Sequence, residues 1–126
     1  MLKAKAVFSG ISVKNLDEAK EFYAETLGLK LEDDKMGLDF ALPGGGKLFI
    51  YPKENHEPAT FTVLNFVVED IDKAVDTLIE EGVKFEKYDG FHQDEKGIAR
   101  GKAANMGPDI AWFKDPAGNI LSVIQE

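Results

Sequence analysis

The sequence predicts an α+β protein built from two tandem βαβββ modules, and three observations lead there. Val13-Lys14-Asn15-Leu16-Asp17-Glu18-Ala19 matches Val68-Glu69-Asp70-Ile71-Asp72-Lys73-Ala74 at a constant offset of 55, and self-similarity at a fixed spacing is the mark of a repeated structural unit. Each copy carries the same punctuation: a β-rich run, an Asx residue that opens a helical pattern, and a glycine that closes it. Pro43-Gly44-Gly45 and Pro116-Ala117-Gly118 then correspond at an offset of 73. Each puts a proline where φ is fixed and a glycine where φ can be positive, as a hairpin turn requires.

In the first half, Ala6 to Val13 reads as a strand and Asn15 as the N-cap of a helix over about Leu16 to Leu27, with Glu18 in the capping-box position. Apolar residues at 16, 19, 22, 23 and 27 form one helical face, and Gly28 suits the left-handed position that ends it. Strands follow at Lys30 to Asp33, Leu38 to Leu42 and Lys47 to Tyr51. The second half repeats the plan. Thr60 to Val68 is a strand, and Asp70 caps a helix over about Ile71 to Glu81. That helix has Ile71, Ala74, Val75, Leu78 and Ile79 as its buried stripe and Gly82 at its end. Strands at Lys84 to Lys87, Ile110 to Lys114 and Asn119 to Gln125 complete it. The expected organisation is one domain over residues 1–126: module one at about 1–52, a polar linker at about 53–59, and module two at about 60–126.

One stretch does not fit the repeat. Tyr88 to Gly107 has four glycines and no periodic pattern, and an irregular loop of that length in a compact domain is either functional or disordered. It reads as a lid in which Gly90, Gly97, Gly101 and Gly107 hinge while Phe91, Ile98 and Met106 cover a ligand, or as an ordinary surface loop.

Composition sets limits on function. A chain of 126 residues with 44% hydrophobic content can bury roughly two thirds of its unfolded surface and needs no metal or disulfide staple to fold. With 15 Lys+Arg against 23 Asp+Glu the net charge is −8, and no basic stripe interrupts it, so a nucleic acid partner is not expected. The absence of cysteine removes disulfide scaffolds, thiolate nucleophiles and Cys-ligated zinc or iron–sulfur sites. No segment has the length of continuous apolar residues that a signal peptide or membrane span needs, so the expectation is a cytoplasmic protein without a membrane partner.

Val-Lys-Asn-Leu-x-x-Ala-x-x-Phe-Tyr-x-x-x-Leu-Gly-Leu (13–29), Val-Glu-Asp-Ile-x-x-Ala (68–74) and Asp-Pro-Ala-Gly-Asn-Ile-Leu (115–121) together resemble the vicinal oxygen chelate superfamily. That superfamily includes glyoxalase I, bleomycin-resistance proteins, fosfomycin-resistance enzymes and extradiol dioxygenases. The resemblance implies two βαβββ modules forming a curled, half-open mixed sheet, with helices outside, a ligand cleft inside, and pairing as a homodimer. Metal-dependent members of the family place a His on a module's first strand, seven positions before the Asx, and a Glu on its last strand after the Asp-Pro-x-Gly-Asn turn. At those positions this chain has Phe8, Val63 and Ser122, and Phe49 is the first-half counterpart of Ser122. None offers the imidazole nitrogen or carboxylate oxygen that divalent cations want. No metal and no cofactor are expected.

Residues two apart on a strand share a face. If the family's inward positions hold, the cleft takes Phe8, Gly10 and Ser12 from one first strand and Phe61, Val63, Asn65 and Val67 from the other, joined by Phe49, Tyr51 and Ser122. Trp112, on a strand whose register the repeat leaves open, is a stacking surface, and His92 stands in the long loop. The expected ligand-binding set is Phe8, Ser12, Phe49, Tyr51, Val63, Asn65, His92, Trp112 and Ser122, with the catalytic residues unknown. The partner expected is a cationic or aromatic small molecule, favoured by the acidic surface and the aromatic side chains.

Two alternatives stand beside this metal-free binding protein. One is a lyase, isomerase or dioxygenase with a relocated metal on His92, Asp94, Glu95 and a cleft carboxylate, or with Tyr51, Asp89 or His92 as a metal-free acid or base. The other is a dimeric regulatory or interaction subunit. His56 reads as a polar linker residue, and no serine has an expected histidine partner. Gly44-Gly45-Gly46-Lys47 lacks the full phosphate-loop spacing and is a hairpin turn, and Gly97-Ile98-Ala99-Arg100-Gly101 lacks the strand-then-helix context of a dinucleotide site.

Overall fold

The computed structural model describes every residue from Met1 to Glu126. The chain forms two compact units, Met1–Glu57 and Pro58–Glu126, each with its own mixed sheet and one helical segment. The α+β class is therefore as expected, and the βαβββ order recurs in both units, with one extra two-residue strand, Ala99–Arg100, in the second.

In the first unit β1 (Ser9–Val13), α1 (Leu16–Lys20), β2 (Lys30–Asp33), β3 (Leu38–Ala41) and β4 (Lys47–Pro52) give a sheet in the order β1-β4-β3-β2. β1 runs parallel to β4, and the other neighbours are antiparallel. The first strand begins at Ser9 instead of Ala6 because its ladder starts at the pair Ser9–Leu48, one residue into β4. Asn15 caps α1 as expected, accepting the Glu18 N–H at 2.9 Å.

The helix then departs from expectation. Beyond Lys20 the backbone winds as a π-helix over Glu21–Thr26, with the Leu27 N–H bonded to the Phe22 carbonyl, five residues back, at 2.9 Å. Two adjacent aromatic residues stand at this point, and their rings meet edge to face 5.3 Å apart. The wider turn leaves Phe22 half-buried while Tyr23 is wholly buried, its ring 6.0 Å from Phe40 of β3. Val13, Leu38, Phe40, Leu48 and Ile50 complete this core with Ala19 of α1. Each fully buried large apolar side chain here stabilises the unit by about 1.5–3 kcal/mol.

The second unit contains β5 (Thr62–Val67), α2 (Ile71–Glu80), β6 (Phe85–Glu86), β7 (Ala99–Arg100), β8 (Asp109–Lys114) and β9 (Ile120–Gln125). The sheet order is β5-β9-β8-β6, with the two-residue β7 also paired to β8. Asp70 caps α2 by accepting the Lys73 N–H at 3.1 Å, and the side chain of Gln125 accepts the free N–H of Ile71 at 2.9 Å. Ile71 and Val75 are buried against Ala111, Phe113, Leu121 and Val123 of the sheet layer. Ile79, expected in the same stripe, is 46% exposed. It lies in the last turn, where Gly82 at φ 92° bends the chain away and the Val83 N–H returns to the Leu78 carbonyl at 2.9 Å.

The Asp-Pro-Ala-Gly-Asn turn owes its composition to one carboxylate. Asp115, 4% exposed, accepts the N–H groups of Ala117 and Asn119 on Oδ1 and the side-chain amide of Asn119 on Oδ2, each at 2.9 Å. Gly118 takes φ 88° so that its N–H can reach the Asp115 carbonyl at 3.0 Å.

The stretch read as a patternless loop holds a second copy of this device. Asp94 Oδ1 accepts the N–H groups of Lys96 and Ile98, each at 2.9 Å, Gly97 takes φ 92°, and its N–H reaches the Asp94 carbonyl at 3.0 Å. Asp94-Glu95-Lys96-Gly97 is thus the turn of a short hairpin that ends in β7. The Asp-x-x-Gly spacing shared with residues 115–118 was the available signal.

Ion pairs then fasten this hairpin to α2. Arg100 donates to both oxygens of Asp72, at 3.0 and 2.7 Å, and to Asp94 Oδ2, while Lys96 meets Asp76 at 2.9 Å. Two of the supposed hinge glycines serve close packing instead: a Cβ on Gly97 would stand 3.2 Å from Phe85 Cβ, and one on Gly101 would overlap the Pro108 carbonyl oxygen.

The Arg100 guanidinium, hydrogen-bonded to Asp72, holds that carboxyl below its ordinary range. At Asp94 burial pushes the pKa up, but the Ile98 N–H, Arg100 and the Lys96 N–H outweigh it and the net shift is downward. Depressed carboxyls stabilise the fold above the unfolded value of about 3.9 and lose that contribution as pH falls through their folded values. Arg100→Met should therefore lower the unfolding midpoint most near neutral pH and at low salt. The gap to wild type should close below about pH 4, as followed by circular dichroism melts across pH. Asp115→Ala, which strands the buried N–H of Asn119 and the part-buried N–H of Ala117, should cost about 2–4 kcal/mol in urea unfolding.

Candidate functional site

Strand alternation gives each sheet two unlike faces. In the first unit Ile11, Val13, Leu48, Ile50, Leu38 and Phe40 share the face covered by the helix. Gly10, Ser12, Phe49, Tyr51 and Asp39 share the other, through the pairs Gly10–Phe49, Ser12–Tyr51 and Asp39–Phe49. On that second face Phe8 meets Phe49 edge to face at 6.5 Å, and Phe49 stacks on Tyr51 at 6.0 Å with the planes 19° apart. Phe8, Phe49, Asp39 and Lys47 line a depression of about 260 Å³.

Two glycines keep this face low. At Gly37, φ 148°, a Cβ would press into the Phe49 ring at 2.7 Å, and at Gly10 it would already touch the Tyr51 ring at 3.8 Å. Sequence reasoning missed Gly37, because its requirement comes from a ring on β4, the strand that pairs with β3 only once the sheet has formed. Phe8 is 66% exposed, so it forms a wall of the depression and not a buried lining.

Ser12 has a partner after all. Its Oγ lies 2.7 Å from His56 Nδ1, with both residues partly buried. The turn that joins the His56 N–H to the Lys53 carbonyl folds the segment after β4 back over β1. This corrects the reading of His56 as a plain linker residue and of the serines as lacking a histidine. Forty-four positions separate the two residues, and no local pattern links them.

In the second unit a single register row, Asn65–Ser122–Trp112–Glu86, crosses β5, β9, β8 and β6 on the face away from α2. Trp112 therefore shares its face with Ser122 and Asn65, which settles the register left open by the repeat. Ser122 is completely buried and donates to Asn65 Oδ1 at 2.6 Å. Val63 lies half-buried at a register shift between Thr62 and Leu64, and Phe61 and Val67 are 67% and 64% exposed. The Trp112 ring carries Tyr88 at 5.6 Å and Phe91 at 5.1 Å. His92 follows Phe91 as an exposed residue.

The donors for a divalent metal do not fit. Phe8, Phe49 and Val63 have none, and the Ser122 hydroxyl is engaged with Asn65. The alternative set of His92, Asp94 and Glu95 loses Asp94 to the backbone and Arg100, and no three His, Asp or Glu side chains converge to hold an ion. No helix is long and apolar enough to cross a membrane.

The family model of the Glyoxalase/Bleomycin resistance protein/Dioxygenase superfamily matches residues 6–123. The chain belongs to that superfamily. Among curated proteins it is similar to the uncharacterized protein YraH of Bacillus subtilis (strain 168), 28% identical over 126 aligned residues, with 88% of this chain and 90% of YraH covered.

Its fold is shared by a superfamily member from Sphaerobacter thermophilus DSM 20745 (23% identity, TM-score 0.69, 96% of this chain and 98% of that one). The same holds for a glyoxalase family protein from Bacillus anthracis (20%, TM-score 0.68, 100% and 99%). It holds too for TnmS3, an antibiotic binding protein from Streptomyces sp. CB03234 (24%, TM-score 0.67, 98% of both chains). Glyoxalase-type and antibiotic-binding proteins thus stand together among its structural neighbours.

Proposed function

We propose that this superfamily member is a metal-free small-molecule binding protein, acting in the cytoplasm as a single domain per chain and as a homodimer, and that it holds its ligand on the aromatic sheet faces. The observation that carries the reading is the Phe8–Phe49–Tyr51 wall. Phe8 and Phe49 occupy two of the positions where metal-dependent relatives would need ligands, and both line the 260 Å³ depression. Apolar rings with a few polar groups at the rim, here Asp39 and Lys47, are the usual make-up of a site that retains an organic molecule. Flat aromatic or cationic compounds suit it, since rings offer both stacking and cation–π contact. The expected site residues remain Phe8, Ser12, Phe49, Tyr51, Val63, Asn65, His92, Trp112 and Ser122, and TnmS3 provides a precedent for antibiotic binding on the same fold.

A thermal-unfolding screen tests this, because a ligand that binds only the native state raises the melting temperature. Aromatic and cationic compounds should raise it in wild type and do so much less in Phe49→Ala. Zn, Ni, Mn, Fe or Co ions, or a chelator, should leave it unchanged. A chelator-sensitive melting point with near-stoichiometric metal on elemental analysis would overturn the reading.

The Ser12–His56 pair favours a second reading, a metal-free enzyme. A serine hydroxyl bonded to an imidazole is the arrangement from which a nucleophile can be generated. On this reading a fluorophosphonate probe labels Ser12 in wild type and fails to do so in His56→Gln, by intact mass. Absence of labelling in wild type removes it.

A further inference from the structure

The second unit holds a polar group that the fold does not use. The Tyr88 hydroxyl is buried and has no hydrogen-bond partner, although a buried polar group without one costs stability. The rest of Tyr88 is held firmly. Its N–H donates to Gln93 Oε1 at 2.8 Å, and the amide nitrogen of Gln93 donates to the Glu86 and Gly97 carbonyls at 3.0 and 2.7 Å. A single glutamine therefore ties the residue to its own strand and to the Asp94 turn, and the ring packs edge to face on Trp112.

Beside it Phe91 leans on the same indole at 5.1 Å while remaining 56% exposed. Its backbone tie to this corner is a long 3.4 Å bond to the Tyr88 carbonyl, across a turn in which Gly90 has φ 89°. An exposed aromatic ring on a weakly held turn, seated against an indole, occupies the place that a flat ligand ring would take.

We propose that Tyr88, Phe91 and Trp112 form a ligand subsite for a neutral, flat aromatic compound bearing a hydrogen-bond acceptor, whose ring displaces Phe91 from Trp112 and whose acceptor accepts a hydrogen bond from the Tyr88 hydroxyl. This rests on the small-molecule-binding reading and adds to it a ligand class and a gate. Burial, and then the Glu86 carboxylate, push the Tyr88 hydroxyl pKa up, so the group stays a donor at neutral pH. The same carboxylate disfavours an anion, and its attraction for a cation is partly spent on Lys114, 3.7 Å away. Sites that carry a lone donor discriminate strongly for ligands able to satisfy it.

Trp112 is the sole tryptophan, so its indole N–H gives one reporter resonance in a ¹⁵N-labelled sample. Coumarin, a flat neutral ring system with a carbonyl, should shift that resonance saturably. Tyr88→Phe should weaken coumarin about 3- to 10-fold while leaving the melting temperature unchanged or higher. Phe91→Ala should tighten coumarin binding, since the competing ring is gone.

Benzyltrimethylammonium binding more tightly than coumarin, undiminished coumarin affinity in Tyr88→Phe, a lowered melting temperature in that variant, or weaker binding in Phe91→Ala would each overturn the proposal. Coumarin shifts confined to residues around Phe8 and Phe49 would overturn this subsite and leave the broader binding reading intact. If neither coumarin here nor any compound of the thermal screen bound, both would fall.

Discussion

A strand presents alternate side chains to opposite sides, so a sheet that gives one face to a helix must leave the other for something else. That constraint organises both units of this protein. In the first, Leu48 and Ile50 turn toward Tyr23 and Ala19, and Phe49 and Tyr51 are thereby committed to the opposite side. In the second, Leu121 and Val123 join the core under α2, which sends Ser122 to the other face, level with Trp112. The core and the candidate site are two consequences of one register, and a one-residue slip in either sheet would exchange them.

Around those sheets, carboxylates bonded to backbone N–H groups hold the turns. Asp115 and Asp94 each close an Asp-x-x-Gly turn by accepting two backbone N–H groups, and glycine at the fourth position supplies the positive φ that the turn needs. The second turn does more than reverse the chain. Through Arg100 and Lys96 it is fastened to Asp72 and Asp76 of α2, and through Gln93 it holds Tyr88 against Trp112. The length of chain that looked free to swing is therefore anchored at its centre. Freedom remains at the turn carrying Gly90 and Phe91, where the ties are few.

On the faces turned away from the helices this chain carries the rings of Phe49 and Tyr51 in one unit and a hydrogen-bonded serine, Ser122, in the other. Phe8 and Phe49 give the first unit an aromatic surface, and Gly37 and Gly10 leave it uncovered by withholding a Cβ. The polar groups on these faces, Ser12 with His56 and Ser122 with Asn65, are paired within their own units. The Tyr88 hydroxyl differs in being buried without such a pairing.

Much of this was legible in the sequence because it depends on near neighbours. The caps at Asn15 and Asp70, the helix ends at Gly28 and Gly82, the hairpin at Asp115 to Asn119 and the alternation of Phe49 and Tyr51 with Leu48 and Ile50 all follow from residues within a few positions of one another. The hairpin at Asp94 was equally local and was hidden only by the glycines around it. The remaining features come from contacts between distant parts of the chain. The π-helical turn after Lys20 is set by packing Phe22 and Tyr23 beneath the sheet, and Ser12 finds His56 across 44 residues. Arg100 reaches Asp72 across 28, and the register that puts Trp112 beside Ser122 exists only once β8 and β9 pair. Sequence alone determined the modules and their faces, because periodicity and capping are short-range effects. Tertiary structure decided which side chains on those faces meet, because only folding brings distant strands and loops within bonding distance.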